Sequence, residues 1–151
     1  MLRLCRETDY SLLAMMYIAA RQEGRIAYRR EIAAHYNIPS EFLAKVLQKL
    51  TRHGLIRSFK GTQGGYLLAR DPRSISLADV IEAVEGPMSL VDCQREGCEC
   101  PQEEACTVQG ALIEVQREIR KLLGGISLQD MRRRLDRAGG RRLIALEASR
   151  R

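Results

Sequence analysis

Residues 40–69 read SEFLAKVLQKLTRHGLIRSFKGTQGGYLLA, and they decide the fold. Ser40 is placed to cap a helix in which Phe42, Leu43, Val46, Leu47 and Leu50 recur at helical spacing and face inward. The opposite face carries Glu41, Lys45, Gln48, Lys49 and Arg52, and Gly54 is the expected C-terminal stop. Two short strands are then expected at 55–59 and 66–69. Their connection, Lys60-Gly61-Thr62-Gln63-Gly64-Gly65, is rich in the residue that tolerates positive φ.

Upstream, a short helix from about 28 to 36 buries Ile32, Ala33 and Tyr36 and stops at Asn37-Ile38-Pro39. Before it, Thr8 is the expected N-cap of a helix with Asp9 in its first turn. Leu12, Leu13, Met16, Ile18 and Ala19 form its apolar face, and Gly24 closes the segment. Helix, tight turn, helix and hairpin is the order of a winged helix-turn-helix. The expected fold is therefore mainly α with a small β-hairpin.

Downstream, Ser76 and Asp79 are spaced to cap a helix through Val80, Ile81, Ala83 and Val84 that ends at Gly86-Pro87. Val108, Leu112, Val115, Ile119 and Leu122 then recur at intervals of 4, 3, 4 and 3, a narrow seam suited to a partner helix. At about 1.5 Å per residue, 107–123 spans roughly 25 Å, so a long dimerisation helix is expected. Packing of the same stripe on the chain's own core is the alternative. After Gly124-Gly125, Ser127 caps a short helix through Met131. The division predicted is a DNA-binding module at 1–86, a cysteine-rich loop at 87–106, the dimerisation helix with its short follower at 107–131, and a basic tail at 132–151. Leu143-Ile144-Ala145-Leu146 alternatively adds a last turn.

The 151 residues suit one domain with an appended element, and 45% hydrophobic content with no Trp and two Phe implies an aliphatic core. No apolar run approaches a membrane span and residues 1–7 lack a signal-peptide core, so a soluble cytoplasmic protein with reduced thiols is expected. Charge is partitioned. Residues 1–70 carry 12 Lys/Arg against 5 Asp/Glu, 71–106 carry 2 against 9, and 107–151 carry 11 against 5. A basic first half suits a phosphate backbone. No phosphate loop, dinucleotide fingerprint or Gly-x-Ser-x-Gly elbow is present, so neither an enzyme nor a small-molecule substrate is expected.

Four of the five cysteines, Cys93, Cys98, Cys100 and Cys106, fall within fourteen residues. Cysteines that close in a loop suit soft-ligand chemistry around a metal or an iron–sulfur cluster. Structural zinc is the rival, although zinc sites usually show paired Cys-x-x-Cys knuckles and this loop has none. A thiol enzyme or iron–sulfur carrier is weaker still, with no Cys-x-x-Cys pair and no His beside the cysteines. Cys5 is expected to be a small packed side chain, and His35 and His53 surface or packing residues.

Arg6-Glu7-Thr8-Asp9-Tyr10, Ile38-Pro39 followed by Phe42-Leu43, Ser58-Phe59-Lys60-Gly61-x-x-Gly64-Gly65-Tyr66 and Val80-Ile81-Glu82-Ala83-Val84-Glu85-Gly86 together resemble the IscR/NsrR/RirA group of bacterial winged-helix regulators. The similarity runs from about residue 2 to about residue 131. It implies a homodimer that represses or activates promoters, repression being the expected mode, with DNA binding set by an iron–sulfur cluster. Members sense nitric oxide, iron or cluster supply, or redox state. The family's loop commonly places three ligand cysteines with five residues in each interval. Cys100 and Cys106 keep that interval, so the implied ligands are Cys93, Cys100 and Cys106, with Cys98 as the alternate. Members resembling IscR bind a 2Fe-2S cluster through a His at the position of Gln109, a poor ligand. Members resembling NsrR use an Asp from the opposite subunit, and Asp9 occupies the matching place. The resemblance thus favours a 4Fe-4S cluster with Asp9 in trans over 2Fe-2S. Asp9 as a mere first-turn helix charge is the alternative.

Winged-helix geometry places the N-terminal turns of the 40–52 helix in the major groove. Ser40, Glu41, Lys45, Gln48 and Lys49 would then reach base edges or phosphates. The tip with Lys60, Thr62 and Gln63 would follow the minor groove, and Arg29, Arg30, Arg52 and Arg57 would touch phosphates. Two such modules paired across the 108–122 seam imply double-stranded DNA with a palindromic operator.

Overall fold

The computed structural model describes residues 4–21, 25–61, 64–91, 100–102 and 105–137. Helix α1, Arg6–Ala20, buries Thr8, Ser11, Ala14, Met15, Met16, Tyr17, Ile18 and Ala19, which covers most of its circumference. A one-sided apolar stripe is therefore the wrong description. Leu13, expected inward, is 36% exposed, while Met15 is fully enclosed. Thr8 is not the cap either: Cys5 is the N-cap residue and makes no side-chain cap bond, and Thr8 lies one turn in with no exposed surface.

Helix α2, Arg29–Tyr36, stops at Asn37, whose φ of 52° and ψ of 44° are left-handed, a conformation Asn tolerates. Its backbone N–H bonds back to Ala33 O, and Pro39 then opens α3, Ser40–Arg52. Ser40 is the first helical residue rather than the cap. Leu43, Val46, Leu47 and Leu50 are fully buried, and Phe42 meets Tyr10 edge-to-face at 5.4 Å. His35 meets Tyr36 edge-to-face at 4.5 Å and lies tilted against Tyr17 at 5.3 Å, a packing role.

Strands β1, Ile56–Ser58, and β2, Tyr66–Leu68, pair antiparallel with Ser58 opposite Tyr66 and Ile56 opposite Leu68. Ala27 adds a further rung, exchanging two 2.9 Å backbone hydrogen bonds with Tyr66. That rung explains Gly65. Only Gly61 among the described tip residues has positive φ, at 109°. At Gly65 a Cβ would lie 2.3 Å from Ile26 Cγ2 and 2.7 Å from Ala27 O, and at Gly64 2.3 Å from Phe59 O. Close backbone approach, not left-handed geometry, requires these two residues.

Helix α4, Leu77–Glu85, begins with the expected capping box: Asp79 N–H donates to Ser76 Oγ (3.1 Å) and Ser76 N–H to Asp79 Oδ2 (2.8 Å). Helix α5, Gln109–Gly124, leads into α6, Leu128–Arg137, where Ser127 and Asp130 repeat the same box. The two helix starts lie side by side, joined by Leu77 N–H to Ile126 O and Leu128 N–H to Ile75 O. Because α6 runs to Arg137, the arginines at 132–134 belong to a helix and not to a tail beginning at 132. Arg132 donates to Ala19 O (3.1 Å), placing a cation at the C-terminal end of α1. Residues 138–151, including 143–146, lie outside the described residues. Among the described residues, no helix is long and apolar enough to cross a membrane.

Gly65→Ala should cost about 1–3 kcal/mol in urea unfolding, because Ile26 and the Ala27 backbone must move. Gly110→Ala, at a helical position with nothing within 4 Å of the added Cβ, should instead be neutral or stabilise by about 0.5–1 kcal/mol.

Candidate nucleic-acid interface and cysteine segment

On α3 the residues Glu41, Lys45, Gln48 and Arg52 are exposed at intervals of 4, 3 and 4, a single solvent-facing stripe opposite the buried leucines. Ser40 is exposed at the start of the helix, Arg29 and Arg30 at the start of α2, and Arg57 and Lys60 on and beside β1. None of these cations has an ion-pair partner among the described residues, so their charge is available to a phosphate backbone. Thr62 and Gln63 lie outside the described residues.

Lys49 stands apart from that stripe. Its ammonium is ion-paired with Glu7 of α1 and lies 3.4 Å from the Val84 carbonyl of α4. Next to it, Glu85 accepts hydrogen bonds from the Cys5 backbone N–H (3.0 Å) and from the buried Thr8 hydroxyl. Desolvation pushes the Glu85 carboxyl up, but the hydrogen bonds from Thr8 and Cys5 outweigh it and hold its pKa below the ordinary value. The sign follows: the stabilisation is complete above the unfolded-state carboxylate pKa and is lost as pH falls through the lower folded value. Cys5, expected to be packed, is exposed, with Sγ 3.3 Å from Thr8 Oγ1. Spacing within any one helix gives no sign of this junction; only the Glu85-Gly86 pair at the mouth of the cysteine segment stands out in the sequence.

Gly86, at φ 85°, ends α4 and turns the chain towards the cysteines. Leu90 N–H donates to Gln116 Oε1 (2.9 Å), which holds the outgoing strand of chain on α5. Residues 92–99, with Cys93 and Cys98, lie outside the described residues. Cys100 and Cys106 are half-buried free thiols, and Ala105 N–H donates to Gln102 O (3.1 Å). Asp9 is exposed in the first turn of α1, and Gln109 opens α5. Among the described residues no three His, Cys, Asp or Glu side chains converge as a metal site.

The five-residue stripe of α5 divides. Leu112 and Ile119 are half-buried on the side that carries Gln116 and Arg120. Arg120 there donates through Nε (2.6 Å) and Nη2 (3.0 Å) to the two carboxylate oxygens of Glu82 on α4. Val108, Val115 and Leu122, seven residues apart, are 58%, 49% and 67% exposed. Apolar side chains at that repeat make one unpartnered line along the helix.

Residues 4–134 match the Rrf2 family, described as an iron-dependent transcriptional regulator. The chain belongs to the Rrf2 family. It is 33% identical over 131 residues to the protein aau3 of Rhizobium meliloti (strain 1021), covering 86% of this chain and 84% of that one. It is 31% identical, again over 131 residues, to the HTH-type transcriptional regulator NsrR of Shouchella clausii, covering 86% and 88%. Among solved structures it resembles CymR, the global cysteine regulator of B. subtilis, with a TM-score of 0.68 and 26% identity over 87% of this chain and 96% of that one. It resembles T. potens IscR equally, with a TM-score of 0.68 and 26% identity over 91% and 90%. This Rrf2 protein is thus a DNA-binding transcriptional regulator with a winged helix-turn-helix fold, and not an enzyme. Lys45→Ala and Gln48→Ala should each weaken specific DNA binding by about 1–3 kcal/mol where the side chain reads a base, with affinities unchanged in a mobility-shift titration as the contrary result.

Proposed function

We propose that the chain works as a homodimeric repressor on a palindromic operator, and that an iron–sulfur cluster in the cysteine segment sets its affinity. The signal would be nitric oxide, iron or cluster supply, or redox state. The observation that carries this reading is the placement of the cysteine segment. It leaves α4 directly beyond the Glu85 junction and re-enters at α5, whose outer face carries the exposed Val108, Val115 and Leu122. A change in that segment would therefore act on both the DNA module and the dimer helix.

Cys93, Cys100 and Cys106 would hold the cluster, with Cys98 as the alternate middle ligand and Asp9 of the partner subunit completing a 4Fe-4S site; 2Fe-2S is the alternative. Two features support the fit: Cys100 and Cys106 are free and half-buried, and Asp9 is exposed and open to a second chain. When bound, such a cluster supplies iron that reacts with diatomic gases and changes state with redox conditions. The residues of this chain do the rest. Gln116 holds the segment's first turn on α5, Arg120 locks α5 to α4 through Glu82, and the Val108, Val115 and Leu122 line joins the second copy. Operator binding then follows from two α3 helices held at a fixed spacing. A second reading is a DNA-binding regulator with structural zinc or no cofactor, and the likeness to CymR, a global cysteine regulator, keeps the cofactor-free form in view.

Anaerobically purified protein should contain iron and acid-labile sulfide, both reduced in Cys106→Ala. Zinc in their place, or neither metal, supports the second reading, and identical operator affinity with and without the cluster contradicts the switch. Val115→Asp together with Leu122→Arg should give a monomer by analytical ultracentrifugation and abolish operator binding. A dimer of unchanged stability would place the interface elsewhere.

A further inference from the structure

We propose that Lys49 is a positioning residue for DNA recognition. It fixes the pose of α3 through Glu7 on α1 and the Val84 carbonyl in the last turn of α4, and it does not itself touch DNA. The proposal rests on α3 being the DNA-reading helix.

Helix ends leave backbone groups without partners, and here two ends are completed by other elements. The last turn of α4 contains no basic residue of its own, so its carbonyls and the negative end of its dipole need a cation from outside. Lys49 supplies it from α3, with Nζ 3.4 Å from Val84 O. The N-terminus of α1 likewise has no side-chain cap of its own, and Glu85, the last residue of α4, supplies the acceptor for Cys5 N–H and the Thr8 hydroxyl. Glu7, in that same first turn of α1, binds the Lys49 ammonium. Three helices thus meet at one ion pair.

The geometry separates Lys49 from its neighbours on α3. Lys45 and Gln48 are exposed, whereas Lys49 is turned out of their stripe and its side chain is 35% exposed. An ammonium that faces a carboxylate and a helix C-terminus presents little net field to a phosphate. Reaching DNA would strip Glu7 and the end of α4 of their partner. The end of α4 is also where the chain departs for the cysteines, so a displacement there bears on α3 at this side chain, beside the direct packing of α3 on α4.

Glu7 makes the proposal testable, because simple charge reasoning and the positioning role predict opposite signs. Removing an acidic group from a DNA-binding module should strengthen binding, yet removing an anchor of α3 should weaken it. The full chain is titrated by fluorescence anisotropy over a salt series against a duplex that the wild type selects from a randomised pool. Lys49→Met should bind roughly three- to tenfold more weakly, with the dependence of log K on log salt unchanged. Glu7→Gln, which preserves shape, should also bind more weakly, and the double variant should be no weaker than Lys49→Met alone. Lys49→Arg should restore most of the affinity, and melting temperatures measured alongside exclude loss of the fold as the cause. A salt slope that falls by about one in Lys49→Met, or tighter binding by Glu7→Gln, would overturn the proposal and make Lys49 a phosphate contact. Lys45→Ala is the control: if it changes neither affinity nor slope, the assignment of α3 as the reading helix fails, and the role of Lys49 fails with it.

Discussion

Helix α1 is enclosed on most of its circumference, and both of its ends are completed by groups from elsewhere in the chain. Glu85 accepts hydrogen bonds at its N-terminus, and Arg132 donates to Ala19 O near its C-terminus. A helix in that position cannot shift without disturbing α2, α3, α4, α6 or β2, all of which pack on it. Native interiors are close-packed and respond to strain by moving whole elements. The placement of α3, and hence of its exposed Glu41, Lys45, Gln48 and Arg52 stripe, is inherited from α1.

The cysteine segment joins the fold beside that helix. The segment is attached at Gly86, one residue beyond Glu85, and its first turn is held to α5 by Gln116. The α4–α5 contact is in turn fixed by the two-pronged Arg120–Glu82 pair. Exposed surface ion pairs contribute little to stability, so the value of that pair lies in orientation more than in energy. The exposed Val108, Val115 and Leu122 lie on the outer side of the same helix. The cysteine segment, the exposed apolar line of α5 and the winged-helix module are therefore linked through two helices, α4 and α5, each of few turns.

What the sequence reveals depends on whether the determining contacts are local. The element order, the buried face of α3 and the Ser76–Asp79 box depend on residues three or four apart, and all are found where spacing predicts them. Thr8 is different. Its sequence context is that of a cap, but the acceptor of its hydroxyl lies 77 residues away. Lys49 looks like a DNA contact on a helical wheel because its two partners are on other helices. Gly64 and Gly65 look like turn residues, although close contacts demand them: Gly64 lies against Phe59 O within the hairpin, and Gly65 against residues 26–27 outside it. The length of α6 was hidden by a run of arginines that reads as a tail until Leu128 is seen anchoring it in the core. Of the candidate cluster ligands, Cys100, Cys106 and Asp9 are described and Cys93 and Cys98 are not.

The central claim is that the first turn of α1 couples the end of α4 to α3. Amide hydrogen exchange of Thr8→Val, compared with the wild type under identical conditions, tests it most directly, since the change removes one hydroxyl while nearly keeping its volume. Faster exchange should extend from residues 5–9 and the last turn of α4 into the C-terminal half of α3, while β1 and β2 stay protected. Loss of protection confined to residues 5–9 and 82–86, with α3 unchanged, would contradict the account.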